Sequence, residues 1–144
     1  METWRDTASP AAQADLDALL DSCLGQAIDH LAKRRALAPF AQTAAGGQVV
    51  AMAMAQGEPG GTTADDLATL WDGLRAGRDG YAAVAVAADV RLPEGRTDAV
   101  RVELEHKEGI ALVVFLPYKL RRSGPKAPPE NLIATRGRRV VWPE

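Results

Sequence analysis

The sequence predicts an α+β fold: a two-layer sandwich in which an antiparallel sheet of about five strands carries two helices on one face, in the order α-β-β-α-β-β-β followed by a tail. Three observations carry this. Two stretches place apolar residues at helical spacing, and the stretches after the second of them alternate with period two. Glycines mark tight connections at Gly46, Gly47 and Gly109. A chain of 144 residues, 47% hydrophobic and 25% charged, can bury one core without metals or disulfides.

Ser9 and Pro10 read as the N-cap and first residue of helix one, and Leu16, Leu19, Leu20, Cys23, Leu24, Ala27, Ile28 and Leu31 then share a stripe. The helix covers residues 10–35. Lys33, Arg34 and Arg35 suit the negative end of its dipole, and Pro39 forbids continuation. Residues 38–44 and 48–55 flank Gly46 and Gly47, which both accept the positive φ of a type I′ turn, so they read as a hairpin. The Ala and Met of the second run also suit a helix, but Gly57, Pro59, Gly60 and Gly61 bound it too closely.

Thr62 or Thr63 caps a second helix through Ala64, Leu67, Ala68, Leu70, Trp71 and Leu74, with Asp65 and Asp66 at its positive end. Gly77 or Gly80 ends it. Over residues 81–92, Val84, Val86, Ala88, Val90 and Leu92 share one face of a strand, and Ala83, Ala85, Ala87, Asp89 and Arg91 the other. After a polar loop at 93–98, Val100, Val102 and Leu104 alternate with Arg101, Glu103 and Glu105. Lys107, Glu108 and Gly109 fit a three-residue hairpin loop, which sets His106 opposite Ile110, Leu104 opposite Leu112 and Glu103 opposite Val113. Pro117 breaks the apolar strand that follows. Residues 1–122 thus read as one domain, and 123–144 as a Pro-rich basic tail able to pack back, with a short strand at 132–135 and room for another at 139–142.

Pro39, Phe40 and Ala41 beginning a strand, an Ala/Val strand ending near Arg91, and Glu105 and His106 at a turn with Gly109 before an apolar strand ending Pro117 and Tyr118 form a recognisable combination. In it the chain resembles a group of small uncharacterised bacterial α/β proteins, over most of its length up to about residue 122. That resemblance implies no activity. The element order also looks like that of roadblock and longin modules, which are binding scaffolds, a likeness of fold alone.

Charge is unevenly spread: ten basic and 17 acidic residues up to Tyr118, then seven basic and two acidic. The body is acidic and the tail basic. The longest apolar run falls far short of the roughly 20 residues a membrane helix needs, and METWRDTASP has no apolar signal region, so the expected location is cytoplasmic. Cys23 is the only cysteine, so no disulfide forms within the chain.

Glu103 and Glu105 share a strand face at about 6.5 to 7 Å, a spacing at which paired carboxylates do acid and base work, but the alternating charges around them read as a wet face. His106 lies beside the turn with no nucleophile motif near it, and Cys23 sits in the stripe of helix one. Glu103, Glu105, His106 and Tyr118 form the candidate polar site of a ligand pocket between the second helix and the sheet. Cys23 and His30 stand about 10 Å apart along the helix, too far for one zinc, and no metal or cofactor motif is found. The glycine-rich stretch 56–66 lacks the Walker ending, and Asp65 and Asp66 repel a phosphate there. The basic tail offers phosphate contacts, but folding back over the acidic body is the favoured reading.

With both helices on one face, the other presents Ala83, Ala85, Ala87, Ala111, Val113 and Phe115 as a candidate interface, joined by Ala51, Ala53 and Ala55 of the first hairpin. Its cover would be the tail, a second copy or a ligand. The expectation is a non-enzymatic interaction module that dimerises or binds a protein through this face or an edge strand, with no cofactor, nucleic acid or membrane partner.

Overall fold

The computed structural model describes residues 4–54 and 63–143. The glycine-rich stretch 56–61 and Thr62 lie outside the described residues. A one-turn helix α1 (Trp4–Thr7) precedes α2 (Pro10–Arg34), followed by β1 (Phe40–Ala45), β2 (Gln48–Met54), α3 (Thr63–Ala76), β3 (Ala83–Leu92), β4 (Thr97–His106), β5 (Ile110–Arg121), β6 (Gly124–Lys126) and β7 (Ile133–Arg136). Three short 3-10 turns link them. The strands form one curled antiparallel sheet in the order β2-β1-β3-β4-β5-β6, with β7 also on β5.

Local chemistry explains the local elements. Ser9 Oγ accepts the Ala12 N–H at 3.0 Å, Pro10 follows it, and Arg35 closes α2 in the left-handed conformation with its N–H on Leu31 O. Gly46 (φ 62°) and Gly47 (φ 77°) form the type I′ hairpin turn. Gly109 (φ 99°) sets the β4–β5 turn, and the register is the expected one: His106 faces Ile110, Leu104 faces Leu112 and Glu103 faces Val113.

The expected sheet of about five strands has seven, and the two helices lie on opposite faces, not on one. The stripe of α2 (Leu16, Leu19, Cys23, Ala27, Leu31) packs on Phe40, Ala83, Ala85, Ala87, Val100, Val102 and Leu104. On the other face Leu70 and Leu74 of α3 pack on Ala41, Val84 and Val86, and Val141 completes that second core. The reason is topological. Strands β2 and β3 both run antiparallel to β1, so they are parallel to each other, and the chain must cross over β1 through α3 to join them. The crossover's hand chooses the face, and side-chain periodicity is silent about it.

β5 continues to Arg121 through Pro117, where the sequence predicts a break. On its outer side β7 pairs with residues 112–115 and β6 with 119–121, leaving Pro117 opposite neither, so the missing N–H costs no ladder bond on that side.

Because Ala85 is fully buried under α2, Ala85→Leu is expected to overpack that layer and lower stability by roughly 1–3 kcal/mol. A urea titration reads this directly. An unchanged midpoint would mean that α2 does not rest on this row.

Candidate functional site

β4 directs its chemistry-bearing side chains to both faces, so the four candidate polar residues do not converge. His106 and Tyr118 belong to the α2 face, at opposite ends of the β4–β5 ladder. Glu103 and Glu105 share the α3 face, as their spacing requires.

His106 is 1% exposed. Its Nδ1 accepts the N–H of Glu108 at 3.1 Å, so the ring proton sits on Nε2, which donates to Asp15 Oδ2 at 2.9 Å. The other Asp15 oxygen accepts the Gly47 N–H at 2.6 Å. Ser9, the cap of α2, also donates to Glu108 at 2.7 Å. One buried imidazole–carboxylate pair therefore ties α2 to both hairpin turns. Both ring nitrogens of His106 are thus engaged within the fold, and the ring is shielded from solvent.

Glu105, expected on a wet face, is 1% exposed. Its Oε1 accepts the N–H groups of Val140 (2.7 Å) and Val141 (2.9 Å), and its Oε2 that of Trp142 (2.7 Å). Three successive amides thus solvate the carboxylate in place of water, a charge-assisted arrangement that makes its burial affordable. Glu103 stays part-exposed beside Arg101 at 3.3 Å. A carboxylate wholly committed to backbone and one paired with arginine do not make an acid–base couple.

Tyr118 donates to Asp89 Oδ1 at 2.7 Å. Burial first, then this bond, pushes its phenol above the ordinary value of 10.0. Desolvation likewise raises Asp89, against the opposing pull of the Tyr118 hydroxyl. Cys23, under α2, is pushed up to about 12 by burial, which leaves it a poor nucleophile. Among the described residues no group of three or more His, Cys, Asp or Glu could hold a metal ion, and no helix is long and apolar enough to cross a membrane.

The apolar candidates divide as well. Ala83, Ala85 and Ala87 are sealed beneath α2, whereas Ala111, Val113 and Phe115 are half-buried on the opposite face. Parity places β3 and β5 residues correctly along each strand, but the pairing sets the Ala row of β3 beside Leu104 and Leu112 instead of beside Val113. Of β2, the expected interface took in only Ala51 and Ala53 and left out the large apolar side chains Val49, Val50, Met52 and Met54. All seven of its residues are exposed, Val50 at 54% and Met52 at 56%, and its outer edge has no strand partner among the described residues. The signal was present as an uncharged apolar run at a sheet edge, where charges or proline usually stand guard. Ala55 lies outside the described residues.

Comparison with protein-family models, curated proteins and solved structures finds no match for this chain.

Glu105→Ala leaves three N–H groups without their acceptor and is expected to cost on the order of 3 kcal/mol, with faster tryptic cleavage after Arg138 and Arg139. Digestion no faster than that of the wild type would remove Glu105 as the anchor of this segment. For Tyr118, the folded phenol titrates above the unfolded one, so its contribution is complete below pH 10 and is lost as pH rises beyond it. Urea midpoints should therefore fall more steeply above pH 10 for the wild type than for Tyr118→Phe. Parallel curves would contradict the shift.

Proposed function

We propose that this protein is a non-enzymatic interaction module that associates with a second copy of itself through the edge strand β2. The observation that carries the reading is the exposure of the whole strand, with Val49, Val50, Met52 and Met54 all large and apolar. A strand with free N–H and C=O groups along one side adds readily to another strand, main-chain bonds supplying affinity and side chains selectivity.

A second copy suits this edge better than an unrelated strand. Residues 48–54 carry no charge, so antiparallel self-pairing sets no like charges opposite each other. A two-fold pairing also buries the same apolar row on both copies, as an isologous interface must. The opposite edge of the sheet suits the role less, because β6 and β7 there are only three and four residues long and carry Lys126 and Arg136. A bulge between Thr43 and Ala44 displaces Val50 from the β1–β2 register, so the regular stretch from Ala51 to Met54 is the part that pairs. Catalytic roles find no support in the polar candidates: His106 and Glu105 are engaged and buried, and the part-exposed Glu103 is paired with Arg101.

Light scattering tests this. The wild type should have twice the 15.3 kDa chain mass, and Met52→Lys and Met54→Lys, both at exposed positions within the pairing stretch, should return it to the single-chain mass with unchanged circular dichroism. A wild-type monomer at high concentration, or a dimer indifferent to both lysines, would overturn the proposal.

A further inference from the structure

We infer that the cleft between α3 and the segment following β7 binds a small organic phosphate with a flat apolar body, of the nucleoside monophosphate kind. The cleft encloses ≈ 670 Å³, within the range of about 300–1,000 Å³ usual for small-molecule sites. Its floor is the α3 face of the sheet, where Arg101 and Glu103 stand beside Val113. Trp71 and Arg75 line one wall, Arg136 and Arg138 the other.

Four guanidinium groups thus meet one carboxylate, in a chain whose acidic residues outnumber its basic ones 19 to 17. Arg101 is held by Glu103 at 3.3 Å, and Arg75 pairs with Asp72 on its own helix. Among the described residues no carboxylate pairs with Arg136 or Arg138. Their backbone is nonetheless firmly placed. The Gly137 N–H donates to Ala111 O at 2.9 Å, a Cβ on Gly137 would meet the Leu112 backbone at 3.0 Å, and Glu105 holds the Val140 N–H. Like charges fixed in one cleft repel each other, and an anion relieves that repulsion.

The chemistry of the walls selects the anion. Guanidinium forks bind phosphate oxygens in pairs, so two of them match a phosphate monoester better than a single carboxylate. The half-buried indole of Trp71, with Leu67 and Val140 nearby, offers an apolar surface for a planar ring. A small ligand is favoured over a polymer because residues up to Tyr118 carry 17 acidic against ten basic side chains. A long polyanion would meet the net negative field of that body, whereas a mononucleotide meets only the local positive field of the cleft.

Isothermal titration calorimetry of the full chain with adenosine monophosphate tests the site, with adenosine, inorganic phosphate and a single-stranded oligodeoxythymidylate as the other probes. The monophosphate should bind one to one and at least about tenfold more tightly than adenosine or phosphate alone, since each of these satisfies only one wall. Arg136→Ala and Arg138→Ala, both at exposed positions, should each weaken it by about tenfold with the fold intact by circular dichroism. Binding should persist in Met52→Lys, so that loss of dimerisation and loss of the site are read separately. No heat up to about 5 mM monophosphate, or equal affinity in both arginine variants, would overturn the inference. So would an oligonucleotide more than about tenfold tighter than the monophosphate, which would point to an extended nucleic-acid surface.

Discussion

Three consecutive backbone amides, from Val140, Val141 and Trp142, converge on the carboxylate of Glu105, and much of the molecule depends on that clamp. Neither partner could be buried without the other. An ionised carboxylate removed from water needs several donors, and three successive N–H groups outside any helix or strand need acceptors. Once joined, they draw Val141 fully into the second core against Leu70, Leu74 and Val84, and set Trp142 edge-on to Tyr81 at 6.2 Å. The segment between β7 and the clamp is then held at both ends, which gives the arginine-lined cleft its second wall.

On the other face the Asp15–His106 pair plays the corresponding part. Asp15 sits one turn into α2 yet is buried, because its two oxygens serve the β1–β2 turn and the imidazole of β4. That pair spans 91 residues of chain, and with Ser9 and Glu108 it sets the start of α2 over the ends of both hairpins. The alanines at 83, 85 and 87 let the helix approach closely over the middle strands, where larger side chains would hold the layers apart. Two polar clamps, one on each face of β4, thus fix the two outer layers on a sheet whose central β3–β4 and β4–β5 ladders are continuous. What they leave unprotected is the outer edge of β2, which has no strand partner among the described residues.

Much of this was legible along the chain where the determining contacts are local. The cap at Ser9, the stripe of α2, the paired positive-φ glycines at 46 and 47, and the β4–β5 register all follow from residues within a few positions of one another. The face covered by α3 was not, since the crossover from β2 to β3 decides it. Nor was the dryness of Glu105. Alternation of Arg101, Glu103 and Glu105 looks the same whether the face meets water or a segment returning from residue 140. The groups that dry it are backbone amides, which every residue but proline carries and which therefore leave no mark in a sequence.

The linear order of residues was enough to say which side chains share a face and where helices begin and stop, because helix and strand periods are properties of the local backbone. Which face meets which layer, that Ala85 lies beneath a helix while Met52 faces solvent, and that Arg101, Arg136 and Arg138 gather around one cleft were decided by the fold. Those outcomes rest on pairings between distant segments, such as Leu112 with Arg136 and Glu105 with Val141. Their free energy comes from burying surfaces that exist only once the layers have closed.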